Sequence, residues 1–388
     1  MREVVIVAAV RTAVGRRKGA LSHVRADDLA ADVLQEAVQR AGITKEQVDD
    51  VILGCVTQTA EQGGNIARTA LLMAGFPDSV PGVTIDRQCG SSQQAVHFAA
   101  QAILAGDMDV VIAGGVESMS RVSMGTNMQN AHLGNRLQEN YNIIHQGLSA
   151  EKIAEKWSLS KEQLNSYAYE SHQRALAAIE AGYFKDEILP IEVIQEDDTV
   201  TTVGRDEGPR AETTVDILNS LKTVFQEDGV ITAGNASQMS DGASAVVVMA
   251  LDRAQELGIQ PLAKIITRVV VGSDPTLMLT GPIEATRKAL ERSGLKIEDI
   301  DTYEVNEAFA PVPLVWLQEI GGDPKKLNPD GGAIALGHPL GATGTKLLTT
   351  LLYRMERENY RYGLLAICEG MGMANATIIE KCKGGYGQ

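Results

Sequence analysis

Residues 33–54 read VLQEAVQRAGITKEQVDDVILG, and residues 285–306 read ATRKALERSGLKIEDIDTYEVN. Aligning Gly42 with Gly294 sets an offset of 294 − 42 = 252. Both stretches share one grammar: an amphipathic helix, a small residue followed by Gly and an apolar residue, a charged turn holding Glu46 or Glu298, then a strand. The offset recurs more loosely further on, where Val110–Gly115 faces Leu364–Gly370 at 252 to 255. The chain therefore holds two copies of one helix–strand architecture, and two copies are too few for a solenoid.

Outward from the first copy, the apolar run Val4–Ala9 reads as a buried strand. A helix over about Asp27–Arg40 and a strand Val51–Gly54 follow, and strand, helix, strand in this rhythm predicts a layered α/β fold. Between the copies, Ser118–Asn235 has another character. It is rich in Met and Asn (Met119, Met124, Met128; Asn127, Asn130, Asn135), carries one long predicted helix over about 149–181, and ends in an acidic, Thr-rich stretch, Glu196–Asp216. It reads as an insertion between strands of the first half, folded over one face.

The 388 residues are 44% hydrophobic and 22% charged, which suits a packed globular protein, and the formal charge is −15. That charge argues against nucleic acid as a partner. The run Val4–Val10 is too short to span a bilayer, no secretory signal stands out, and the ending Gly385–Gln388 is no retention tail. Cys55, Cys89, Cys368 and Cys382 are scattered and form no Cys-x-x-Cys pair, so neither a disulfide framework nor a structural zinc site is expected. A soluble protein without a membrane partner, in the cytoplasm, is the expectation.

Three positions could carry chemistry. Cys89 lies between an extended stretch, Val83–Asp86, and a helical run, Gln93–Leu104; at a helix N-terminus, free N–H groups and the dipole favour a thiolate. A buried structural cysteine is the bland alternative. His338 sits in Gly331–Gly344, where six of fourteen residues are Gly or Pro, a backbone suited to tight turns or close ligand approach. The stretch is not a Walker loop, because Thr345 follows Gly344. Cys368 ends an apolar strand as the counterpart of Ala113–Gly114, which puts two cysteines at pseudo-equivalent strand ends. Asn306 ends another strand and offers an amide, whereas His23, His97, His132 and His172 read as solvated or structural.

Over nearly its whole length the chain resembles the thiolases. The resemblance rests on Cys89-Gly90-Ser91 after a strand, Ala113–Met119, Thr232–Ser237, Asn306-Glu307-Ala308-Phe309-Ala310, Gly331–Pro339 and Cys368-x-Gly370, in that order. It implies a thiolase fold: duplicated five-stranded α/β units in a layered α-β-α-β-α arrangement with an inserted loop domain. The halves would be 1–117, completed by about 236–262, and 263–388, with 118–235 the inserted domain carrying CoA contacts. It also implies an acyltransferase that cleaves 3-ketoacyl-CoA with CoA, or runs the reverse Claisen condensation, by a ping-pong route through a Cys89 acyl-enzyme. Exchange of one thioester for another is nearly isoenergetic, which suits sulfur. His338 and the helix terminus would activate Cys89, and Cys368 would be the acid/base at carbon. His338 and a water on Asn306 would form one oxyanion hole, and the N–H groups of Cys89 and Gly370 the other. CoA would lie along Ser237 and His145, with Lys222 standing where an Arg is common. CoA and acyl-CoA would be substrates, with no metal or other cofactor, and a homodimer or homotetramer would form.

Several residues depart from the family pattern: Ser92, Gln93 and Gln94 after the nucleophile motif, Pro311 and Pro313, Glu369 and Met371 around Cys368, and Gln146 after His145. The segment between Ser120 and His145 also looks short for a tetrameric biosynthetic thiolase. All are expected near the acyl pocket or the oligomer-forming loop, which points to a degradative 3-ketoacyl-CoA thiolase with an unusual pocket, with an acetoacetyl-CoA-specific acetyltransferase as the alternative. Ketoacyl synthases and hydroxymethylglutaryl-CoA synthases share the fold but lack a second cysteine in this motif. A non-catalytic acyl-CoA-binding scaffold is the remote alternative.

Overall fold

The computed structural model describes residues 2–194 and 197–382; Glu196 and the Gly385–Gln388 tail lie outside the described residues. The first half runs β1 (Val4–Thr12), α1 (Ala26–Ala41), β2 (Asp50–Gly54), α2 (Ile66–Met73), β3 (Gly82–Ile85), α3 (Ser91–Ala105) and β4 (Val110–Ser118). After an excursion bearing α4 (Gln146–Lys156) and α5 (Lys161–Glu180), β5 (Ser240–Ala250) follows. The second half comprises β6 (Ala263–Gly272), α6 (Gly281–Ser293), β7 (Thr302–Val305), α7 (Pro311–Ile320), α8 (Thr343–Arg357), β8 (Tyr362–Glu369) and β9 (Met373–Lys381). Gly42 and Gly294 terminate α1 and α6 in the same way, each in the left-handed region at φ 66° and 71° where a Cβ would be strained.

The strands form one sheet in the order β3-β2-β4-β5-β1-β6-β9-β8-β7. Each half repeats the other's pairing: β4 is parallel to β2 and antiparallel to β5, as β8 is parallel to β7 and antiparallel to β9. The halves meet where β1 and β6 pair at Val5–Lys264 and Ile6–Ala263. Beyond β7, the place that β3 takes in the first half is held by a single bridge, Tyr303–Leu327. Helices α1 and α2 cover one outer face and α6 and α7 the other. Between the two halves of the sheet lie α3 and α8, whose Val96, Ile103, Leu348 and Leu351 join Ile6, Val111, Val246, Leu365 and Ile367 in one apolar core. Burying both faces of β1, β4 and β5 explains why these strands read as continuous apolar runs.

Two sequence readings change. The long helix expected over 149–181 is two helices. The chain breaks after Lys156 with Ser158 at φ 55°, and α5 restarts with a capping box in which Ser160 and Gln163 satisfy each other's backbone N–H groups. The 252-residue offset also maps Ser91–Ala105 onto Thr343–Arg357. The repeat partner of the Cys89 loop is therefore the His338 loop, and not the strand end bearing Cys368, because each loop leads into one member of the inner helix pair.

Candidate active site

Cys89 sits on the elbow between β3 and α3. Gln88, just before it, adopts φ 49°, a costly conformation for a side-chain-bearing residue, supported by its N–H donating to Asp86 Oδ1 at 2.7 Å. This turn presents Cys89, half-buried, to Val56, Met119 and Leu340. Leu340 belongs to the His338 loop, so the repeat-related loops meet in one apolar cluster.

His338 is buried and held at both ring nitrogens. Nδ1 lies 2.6 Å from Thr343 Oγ1, and Nε2 lies 3.3 Å from Asn306 Nδ2. Thr343 Oγ1 also lies 2.9 Å from the Pro339 carbonyl. A hydroxyl carries one proton and rotates, so Thr343 can donate to Pro339 while accepting from Nδ1–H, or donate to Nδ1. The first arrangement leaves Nε2 a base; the second leaves it an N–H donor. Burial, helped by the Lys346 charge, pushes the imidazole down to about 3, so the neutral ring is present at neutral pH.

Cys368 is buried at the end of β8, and its thiol is pushed far up by burial and next by the charge of Cys89, which puts the two sulfurs in one electrostatic environment. Cys89 itself is pushed up to about 12, first by burial and then by Glu369. Sequence reasoning placed a helix terminus there to lower it. Burial and a carboxyl from 280 positions away outweigh that dipole, so the resting group is a thiol. Gly370 lies against the nucleophile elbow: a Cβ there would be 2.8 Å from Gln88 Oε1. Asn306 is buried, and its Oδ1 has no hydrogen-bond partner among the described residues.

The candidate CoA residues lie along one side. His145 caps α4, with Nδ1 accepting the Gly147 N–H at 3.1 Å, and stacks on Phe225 with centroids 5.1 Å apart. Phe225 meets Phe309 edge-on at 5.9 Å. The Ser237 N–H donates to the Ala308 carbonyl at 3.0 Å, so Ser237 and His145 both connect to the loop of Asn306. Lys222 is exposed in the loop before Phe225. Among the described residues, no group of three or more His, Cys, Asp or Glu side chains could hold a metal ion, and no helix is long and apolar enough to cross a membrane.

Ser92, Gln93 and Gln94 are buried and bonded to the second half. Ser92 Oγ accepts the Thr345 N–H at 3.0 Å, Gln93 Nε2 donates to Thr377 Oγ1 at 2.7 Å, and Gln94 Oε1 accepts from Asn375 Nδ2 at 3.4 Å. Their polar groups bind α3 to the second half. Pro311 and Pro313 occupy the first turn of α7, where a missing N–H costs nothing. His97 and His172 are structural: His97 Nε2 bonds Thr377 Oγ1 at 2.8 Å and His172 Nδ1 accepts the Arg210 N–H at 3.2 Å.

Sequence reasoning missed the residues that hold the site. Glu117, fully buried, accepts four N–H bonds: Thr57 N–H at 3.0 Å and Gln62 Nε2 at 2.9 Å on Oε1, and Val56 and Gly341 N–H, both at 2.9 Å, on Oε2. Glu307 likewise accepts from Tyr167, Ser171, Asn328 and the Ile334 N–H, latching α5 to the loops of Asn306 and His338. A buried carboxylate inside a quoted motif was the available signal, but its partners come from distant segments.

Known proteins share this architecture and more. Residues 4–252 match the family model of the thiolase N-terminal domain and residues 259–381 that of the thiolase C-terminal domain. The chain is 48% identical to the steroid 3-ketoacyl-CoA thiolase FadA6 of Mycobacterium tuberculosis, over 98% of this chain and 95% of that protein. It is 44% identical to the 3-ketoacyl-CoA thiolase of Bacillus subtilis, over 98% and 100%. The crystal structure of the Bacillus anthracis acetyl-CoA acetyltransferase superposes with a TM-score of 0.91 at 41% identity, covering 98% of this chain and 99% of that one. With both family domains spanning nearly every described residue and relatives of this identity along the full length, the chain belongs to the thiolase family.

Proposed function

We propose that this protein is a 3-ketoacyl-CoA thiolase that uses Cys89 as nucleophile, His338 as its base, Cys368 as acid/base at carbon and Asn306 with Gly370 in the oxyanion holes. The observations that support the reading are the packing of Cys89 against Leu340 of the His338 loop, the approach of His338 Nε2 to Asn306 Nδ2, and the electrostatic influence of Cys89 on Cys368. A thiol held near 12 ionises only as it reacts, so the proton passes from Cys89 to Nε2 of the base tautomer while sulfur attacks the 3-keto carbon. Scission of the C2–C3 bond leaves acyl-Cys89 and the acetyl-CoA enolate. The enolate oxygen needs donors already in place: the protonated His338 Nε2–H and a water held by Asn306 Oδ1. Cys368 S–H delivers the proton to C2. The thiol of CoA then gives its proton to the Cys368 thiolate and takes the acyl group from Cys89, whose sulfur recovers its proton from His338, restoring the enzyme.

CoA binding along His145 and Ser237 is supported by the aromatic line from His145 through Phe225 to Phe309, which leads from the surface to the Asn306 loop. Lys222 supplies a positive charge at its outer end. A segment of about 118–235 serving as the CoA-contacting insertion, cytoplasmic operation, and assembly into a closed homo-oligomer complete the proposal. The exposed Val83 on edge strand β3 supports assembly. Relatives named acetyl-CoA acetyltransferase, such as that of Pseudomonas aeruginosa at 44% identity, keep acetoacetyl-CoA as a second candidate substrate. The test is CoA-dependent thiolysis of 3-ketoacyl-CoAs of increasing length and bulk, with Cys89→Ala as control. Cleavage that vanishes in the variant is expected, with medium or bulky chains preferred over acetoacetyl-CoA. No cleavage of any substrate by folded protein would favour an acyl-CoA-binding scaffold.

A further inference from the structure

Glu369 follows Cys368 on β8 and is fully buried, yet neither carboxyl oxygen has a hydrogen-bond partner among the described residues. Its side chain reaches to the start of α3, where any side chain at Gly90 would collide with Oε1. The charged and titratable groups around it are Arg87 and Asp86 from the elbow, Cys89 beyond Gly90, and Cys368 on its own strand. Arg87 forms no ion pair with it; Arg87 Nη1 instead lies 3.4 Å from Sδ of Met373, the residue opposite Glu369 in the β8–β9 ladder. A carboxyl stranded this way costs stability, and here it stands beside the helix terminus that carries Cys89.

We propose that Glu369 is a positioning residue of thiolysis: a carboxyl lodged between the Cys89 elbow and Cys368 whose negative charge, where it ionises, opposes ionisation of Cys89 and so sets the pH range in which the nucleophile reacts. The proposal rests on the reading of Cys89 as nucleophile. Two anions in one closed cleft repel, so ionisation of either group opposes that of the other and the pair titrates as a unit. Burial pushes the Glu369 carboxyl far above the usual carboxylate range, and after burial its charge is the next influence raising Cys89. The proton balance of the attack is closed between two groups: Cys89 gives its proton to His338, and none passes to or from Glu369.

The deciding measurement is the rate of Cys89 alkylation by iodoacetamide against pH, followed by intact mass in the full chain. It is run for wild type, Glu369→Gln and Glu369→Leu, with Cys89→Ala setting the background. The wild-type rate should rise over a broader pH range than one ionisation gives. Both variants should show a single ionisation displaced to lower pH by at least half a unit, about a threefold faster reaction at a given pH. Glu369→Leu should melt at or above the wild-type temperature, because an apolar side chain leaves no stranded carboxyl, and the pH limb of its thiolysis rate should move with the alkylation curve. Alkylation profiles that coincide with wild type would overturn the proposal. So would a stabilised Glu369→Leu whose kcat keeps the wild-type pH dependence. If Glu369→Gln does not fold, the leucine variant decides. Displaced variant profiles alongside a wild type without thiolysis would support the Glu369–Cys89 link and retire the enzyme reading, whereas an active wild type with coincident profiles would retire Glu369 alone.

Discussion

Replacing Glu117 by Gln removes one oxygen from a carboxylate that serves as a four-way acceptor. The amide keeps the shape, but in either orientation its NH2 faces two N–H donors. Turned one way it abandons Thr57 and Gln62; turned the other, Val56 and Gly341. Each buried donor left without an acceptor costs about 1–3 kcal/mol, so the substitution should cost about 2–6 kcal/mol. That is a large share of the roughly 5–15 kcal/mol that holds a folded domain together. The loss falls where chemistry happens, because Val56 and the loop around Gly341 flank Cys89 through Val56 and Leu340. Urea unfolding should show a lower midpoint, and at low urea, where the variant is still folded, kcat/KM for thiolysis should fall at least tenfold, since small displacements of a reacting group are expensive. A variant within about 1 kcal/mol of wild type and with unchanged kcat/KM would refute the view that this carboxylate sets the pocket.

Burial pushes His97 and His338 down to about 3 and His172 to about 4, so the folded chain stays unprotonated where the unfolded chain takes up protons near 6.5. Stability should therefore be complete above about pH 6.5 and be lost as pH falls toward 3; urea midpoints at pH 7, 6 and 5 should drop, less so in His97→Gln/His172→Gln, and a flat series would contradict this. Gly344→Ala drives a methyl into the Gln93 backbone N of α3, separating the inner helices at a cost of about 2–3 kcal/mol by urea unfolding; a loss below about 0.5 kcal/mol would mean the helices yield. Phe225→Ala removes a stacked pair worth about 0.5–1.5 kcal/mol and should raise KM for CoA about 3–10-fold with kcat within about twofold. A change confined to kcat would place CoA elsewhere.

Features written locally were legible in the sequence. Gly42 and Gly294 mark helix ends because only a residue without Cβ enters that conformation freely, and apolar runs mark strands buried on both faces. Cys89, His338 and Cys368 stood out because turn chemistry surrounds each. What could not be read depends on distant partners. Ser92, Gln93 and Gln94 bond to Thr345, Thr377 and Asn375, partners far along the chain that no local pattern shows. The Cys89 thiol looked acidic by its helix, but Glu369 and the walls of the pocket decide otherwise. The break at Trp157–Ser160 hid inside a helical pattern because the Ser160–Gln163 capping box restarts the same amphipathic phase.

The shared inner layer bears on how the chain comes to exist. Helix α3 belongs to the first half in sequence but donates to Thr377 and Leu365 of the second, and Thr349 and Leu348 of α8 lie in the interior bounded by strands of both. During synthesis the segment bearing Cys89 emerges some 250 residues before those bearing His338 and Cys368, with the second-half part of its core lining not yet made. The early half cannot bury α3 against a partner that does not yet exist. A reactive thiol therefore lacks its base until the last strands are made, and catalytic competence becomes a report that translation and folding have both finished.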